Sequence, residues 1–192
     1  GEFLITPVVS PPSAGQIFVN GETITSEWIP RTETIALTYE ASPFYEFVGW
    51  DITAGVGFPG VQGDTSTLVN LTIEDCYGIT AVFEEVAPGL VSNPSPSDDA
   101  TSISVATNLS WQNGSDTESN ALYLWPANEG KPDVFTATGL QTPMFDPPGD
   151  LIHGVEYNWQ IISINSATQT EGPVWSFTTL PKVPVTIDTV PS

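Results

Sequence analysis

Few side chains in this sequence have the type and spacing to do chemistry. His153 is the only histidine, and so the only imidazole available as the base of a nucleophilic triad. No HExxH, Cys/His cluster or GxSxG accompanies it, and it reads as a turn residue. Asp98-Asp99, Asp116/Glu118 and Asp146/Asp150 pair carboxylates as a glycosidase does, on spacing alone. All fall in turns or loops, where solvated acids are ordinary. Asn113-Gly114-Ser115-Asp116-Thr117-Glu118 gathers oxygens around a glycine. That suits weak Ca2+ binding through Asn113, Asp116 and Glu118, but the EF-hand frame and its terminal bidentate glutamate are missing. A solvated loop is the simpler reading. Trp28, close to Arg31, is the tryptophan left over once cores are assigned. It is either a ligand contact for sugar or protein, or a lid over a core. The single Cys76 excludes an intrachain disulfide and reads as a small half-buried apolar residue. The expectation is a non-enzyme with no cofactor.

Composition narrows the partners. The 192 residues hold 23 Asp or Glu and 3 Lys or Arg, a net charge of −20. Charged residues are 14% of the chain, against roughly 25% in an average domain. The chain is stripped of base rather than rich in acid. Arg31, Lys131 and Lys182 form no cluster, which excludes nucleic acid and anionic membrane as partners. Residues 4–86 hold 11 acids and one cation, net −10, and residues 87–181 hold 10 acids and one cation, net −9. The bias belongs to both halves, which points to a shared environment rather than a patch.

The elements that must position these groups read as strands and turns from end to end. With 18 Pro and 16 Gly, short strands are favoured over helices. Phe3–Val9, Gln16–Val19, Thr34–Tyr39, Tyr45–Trp50, Thr67–Ile73 and Tyr77–Phe83 are expected strands. Asn20-Gly21 signals a tight type I′ hairpin turn, and glycine-rich Gly55–Asp64 a loop. Glu84–Gly89 carries no pattern and reads as a linker. Strands resume at Asn108–Gln112, Ala121–Trp125, Asp133–Ala137, Tyr157–Asn165 and Val174–Leu180, with turn residues between them, as in a β-sandwich. Gly1-Glu2-Phe3 (residues 1–3) reads like a cloning scar. Residues 182–192 read as a linker to a following module, making the chain a piece of a longer protein.

Two resemblances follow from particular motifs. Gly21-Glu22-Thr23, Tyr45-Glu46-Phe47-Val48-Gly49-Trp50 and the closing Ile79-Thr80-Ala81-Val82-Phe83-Glu84 make residues 4–86 similar to a divergent internalin-type B-repeat. That resemblance implies a small β-grasp-like sheet. Phe47, Trp50 and Phe83 can supply its aromatic core. Pro94-Ser95-Pro96, Leu109-Ser110-Trp111, Leu122-Tyr123-Leu124-Trp125, Leu151–Trp159 and Val174-Trp175-Ser176-Phe177 occur in the order found in bacterial fibronectin type III-like domains. Residues 87–181 therefore resemble a seven-stranded fibronectin type III-like β-sandwich. There Tyr157 can form a tyrosine corner, and Trp111 and Trp159 can face each other across the sheets.

All-β modules of this kind imply extracellular or cell-surface spacer or adhesion elements of a multidomain bacterial protein. Their partners are then neighbouring domains of the same chain, and a glycan or surface protein where the modules bind anything. The alternative is a carbohydrate- or protein-binding accessory piece of a secreted hydrolase.

Overall fold

The computed structural model describes residues 1–54 and 62–184. They contain strands and turns and no helix, so the all-β expectation holds. The chain divides into two compact units, Gly1–Val86 and Ala87–Ser192, each with its own buried cluster.

In the first unit the strands are β1 (Glu2–Ser10), β2 (Gly15–Val19), β3 (Glu27–Pro30), β4 (Thr34–Ala41), β5 (Tyr45–Ala54), β6 (Gln62–Asp64), β7 (Leu68–Thr72) and β8 (Tyr77–Glu85). Period-two alternation decides which side chains turn inward. Along β8 Tyr77, Ile79, Ala81 and Phe83 are buried, and along β7 Val69 and Leu71. Ile35 and Leu37 do the same on β4. These apolar faces belong to two sheets, ordered β3-β1-β8-β5-β6 and β2-β4-β7. The single small β-grasp-like sheet is thus replaced by a pair. The physical reason is the second apolar face made by β2, β4 and β7, which another sheet covers where a grasp fold would use a helix.

Several local expectations change. Glu2 and Phe3, read as foreign to the module, pair with Pro30 and Ile29 and extend β1. The stretch read as loop contains β6, which pairs with Trp50 and Asp51 of β5. Residues 55–61 of that loop lie outside the described residues. Glu84 and Glu85 complete β8, and 86–89 of the expected linker carry no regular structure. Val86 N–H donates to the Phe44 carbonyl and Gly89 N–H to the Ser115 carbonyl, each at 2.8 Å. The Asn20-Gly21 turn forms as read: both residues have positive φ, and Val19 and Glu22 exchange backbone hydrogen bonds across it. The aromatic core also forms, with Trp50 fully buried and Phe47 packed on Phe83, Trp50 and Tyr39.

Burial pushes the Tyr77 phenol above its ordinary pKa, with the nearby charges of Glu74 and Asp75 adding to the shift. The fold therefore favours the neutral ring. That stabilisation is complete below about pH 10 and is lost as pH rises past it towards the folded-state value. The stability gap between wild type and Tyr77→Phe is expected to change in the variant's favour above about pH 10. Urea midpoints measured across that range check it, and a gap independent of pH would assign the alkaline loss to another group.

The second unit contains β9 (Ser92–Ser95), β10 (Ala100–Ile103), β11 (Leu109–Gln112), β12 (Ser119–Pro126), β13 (Ala137–Leu140), β14 (Met144–Phe145), β15 (Glu156–Ile164) and β16 (Gln169–Thr179). Eight strands stand where seven were expected, and β13 begins where the expected strand Asp133–Ala137 ended. Sheets β10-β16-β15-β12-β13 and β14-β11-β9 enclose Leu109, Trp111, Leu122, Tyr157, Trp159, Ile161, Trp175 and Phe177. Trp111 meets Trp159 across the sheets, centroids 6.3 Å apart. Central β15 is buried almost without alternation, because both of its faces are covered. Residues 182–184 follow β16 without regular structure, and 185–192 of the expected linker lie outside the described residues.

Candidate functional site

The acids that spacing singled out are exposed or fasten strand ends, and none faces another acid across a site. Asp98 accepts the Ser176 N–H at 2.8 Å, and Asp99 accepts the Ser176 hydroxyl at 2.9 Å. Both carboxylates fasten the approach to β10 onto β16. Asp146 and Asp150 are exposed. A hollow of about 440 Å³ lies over Ala127, Asn128, Gly154, Val155 and Glu156. Glu156 is its only titratable side chain, so it holds no acid–base pair. Among the described residues no three His, Cys, Asp or Glu gather as metal ligands. Hydrogen bonds from the Ser66 hydroxyl and N–H hold the Asp64 carboxyl below the usual carboxylate range.

The oxygen-rich loop is occupied with its own structure. Asn113 Oδ1 accepts both Trp111 Nε1–H at 3.0 Å and Asn120 Nδ2–H at 3.1 Å. Thr117 donates to the Gly114 and Ser115 carbonyls, and Asn165 Nδ2–H to the Asp116 carbonyl. Asp116 takes a positive φ of 54°. The three residues named for Ca2+ thus share a loop, but Asn113 points its oxygen at two N–H groups.

His153 sits in the turn before β15, with Nδ1 at 3.0 Å from the Leu180 carbonyl. The same turn is a fastening point. The Tyr157 hydroxyl accepts the Ile152 N–H at 3.0 Å, which is the tyrosine corner read from the sequence. Thr179 donates to the Ile152 carbonyl at 2.6 Å and accepts the Val155 N–H. Tyr157→Phe leaves the Ile152 N–H without its acceptor. The expected cost is about 1–3 kcal/mol for the second unit, read from its denaturation midpoint; an unchanged midpoint would mean that ring packing alone holds the corner.

Two expectations are overturned. Trp28 is 60% exposed and does not cap the core. On β3 it pairs with Leu4, while the adjacent Ile29, opposite Phe3, turns inward and is buried. Cys76 is exposed rather than half-buried. It follows the polar turn Glu74-Asp75 and precedes Tyr77, which takes the inward position at the start of β8.

One group escaped the sequence reading. Lys131 Nζ lies 4.1 Å from the Tyr123 ring centroid and donates to Gln160 Oε1 at 2.6 Å. Phe135 packs on the same ring at 4.5 Å. Trp125, Tyr123 and Ala121 of β12 stand opposite Asn158, Gln160 and Ile162 of β15, on the face turned away from the core. Lys131 and Phe135 thus cover Tyr123 and Gln160 on that face, where Trp125 and Gln160 are buried. A cation spent in this way, in a chain with so few, was the available signal.

No protein-family model matches the chain, and no curated protein does. Among solved structures it is similar to an Fn3-like protein from Clostridium thermocellum, at 15% identity over 51% of this chain and 98% of that one, TM-score 0.37. It is also similar to a segment of two fibronectin type III domains from chicken tenascin, at 18% identity over 87% and 99%, TM-score 0.37. The class rests on strand order. With β14-β11-β9 facing β16-β15-β12-β13, and β10 added beside β16, the second unit is a fibronectin type III-like β-sandwich.

Proposed function

We propose that this chain is a non-catalytic structural spacer or adhesion element of a multidomain protein on the outside of a bacterial cell. The observation that carries the reading is the use of its polar side chains. Asp98, Asp99, Asn113 and Tyr157 hold turns and strand ends together, and none converges on a shared hollow. The base-poor composition of both units supports a common exterior environment and suits modules that repel one another in solution. The B-repeat motifs of residues 4–86 support the same context. Neighbouring domains of one polypeptide are then the principal partners.

A second reading, an accessory module that binds glycan or protein beside a secreted hydrolase, is favoured by exposed Trp28. A glycan array with wild type and Trp28→Ala separates the two. The spacer predicts no reproducible hit; a hit lost in the variant replaces it with the accessory reading. Weak Ca2+ binding at Asn113, Asp116 and Glu118 is tested on the same samples. A melting temperature equal in excess calcium and in chelator disposes of it.

A further inference from the structure

The first and last strands of the first unit lie side by side and run in the same direction. β1 and β8 pair in six consecutive registers, from Ile5↔Tyr77 to Ser10↔Val82, without a break. The chain enters the unit at the start of β1 and leaves at the end of β8. In a parallel pair those points are at opposite ends of the ladder. Tension carried through the chain therefore pulls the two strands along their axes in opposite directions. Sliding one past the other strains all of the cross-strand hydrogen bonds together, whereas pulling both strands from one end would break them one after another.

Each strand is anchored on its far side as well. β1 is paired with β3 from Glu2↔Pro30 to Ile5↔Glu27, and β8 with β5 from Tyr45↔Glu85 to Ala54↔Tyr77. Ile5, Ile79 and Ala81 are fully buried between the sheets, so sliding also drags apolar side chains out of their packing. The second unit sets β10 parallel to β16, but only through Ala100↔Phe177 and Ile103↔Thr179 with an irregularity between them. The longer ladder belongs to the first unit.

We infer that the β1–β8 ladder is a shear clamp, making Gly1–Val86 a force-bearing link for loads applied through its two ends. This rests on the architectural reading for its biological sense and adds to it a property that a passive spacer does not need.

The test uses the lone exposed Cys76, which lies next to Tyr77 at the same end of the ladder as the N-terminus. Tethering the full chain by its N-terminus and Cys76 peels β1 from β8, starting at Ile5↔Tyr77. In a Cys76→Ser/Ala87→Cys protein, tethering the N-terminus and residue 87 shears the whole ladder. Glu85→Cys is an alternative handle at that end, and residues 85 and 87 are both exposed. At one loading rate, the shear geometry is expected to rupture at roughly twice the force of the peel geometry or more, forced unfolding being governed by the barrier along the pulling direction. Equal forces in the two geometries overturn the clamp and leave the spacer reading standing, since that is decided by the glycan array alone.

Discussion

Replacing Trp50 by alanine is expected to unfold most or all of the first unit while the second keeps its transition. Trp50 is fully buried. Its ring meets Phe47 at 5.4 Å and Tyr39 at 6.1 Å, and its Nε1–H donates to the Ser66 carbonyl at 3.0 Å. Removing a buried tryptophan costs about 3–5 kcal/mol. A unit of this size is stabilised by about 4–13 kcal/mol, at roughly 0.05–0.15 kcal/mol per residue. The loss therefore consumes a large share of what holds Gly1–Val86 together. Trp111, Trp159 and Trp175 belong to the other cluster, so the near-ultraviolet signal of the second unit should persist. Denaturation followed by tryptophan fluorescence and by circular dichroism checks this. One transition displaced as a whole would show that the two cores are not independent. Trp50→Phe keeps an aromatic ring but drops the bond to Ser66, and its midpoint is expected between the two.

Much of this core was legible because burial follows a period of two. Ile35 and Leu37, Val69 and Leu71, and Ile79, Ala81 and Phe83 each announce an inward face. The tyrosine corner and the Trp111–Trp159 contact were legible because their motifs fix both spacing and order. Trp28 was not. In Glu27-Trp28-Ile29-Pro30 two large apolar residues are adjacent and the strand is four residues long, so alternation cannot say which one turns inward. Pairing of Phe3 with Ile29 decides it, and that is long-range information. The parallel match of β1 with β8 is hidden for the same reason, since no local pattern names a partner more than sixty residues away. Strand β13 was misplaced because Val134 and Phe135 look like strand residues yet lie at the surface, Val134 74% exposed. Phe135 packs on Tyr123 beside Lys131 instead. The candidate acids were legible as loop residues, but their use was not. Asp98 and Asp99 reach Ser176 on the neighbouring strand β16, more than seventy residues away in sequence, and only the fold brings that donor to them.

A single methyl group at Gly114 is expected to damage the second unit more than any exposed substitution of similar size. A Cβ there would sit inside the van der Waals radii of the Gly89 Cα and carbonyl group. The obstacle is backbone, which cannot rotate away as a flexible side chain would. Gly89 is held in place by its N–H to the Ser115 carbonyl at 2.8 Å, and two residues on, Val91 is buried in the core. The segment therefore has little room to retreat. Overpacking of a well-filled site costs about 1–3 kcal/mol, occasionally more, and Gly114→Ala belongs at the upper end. Either the unit loses stability by about that amount, or the segment between Gly89 and Val91 lifts off. Hydrogen exchange at Gly89 separates these outcomes. Its amide is protected by Ser115 in the wild type and exchanges freely if the segment detaches. Gly130→Ala is the control, because a Cβ at Gly130 meets nothing within 4 Å and should change stability by no more than about 0.5 kcal/mol. Equal melting temperatures for the two alanine variants would mean that the Gly89–Gly114 contact is not a close one in solution.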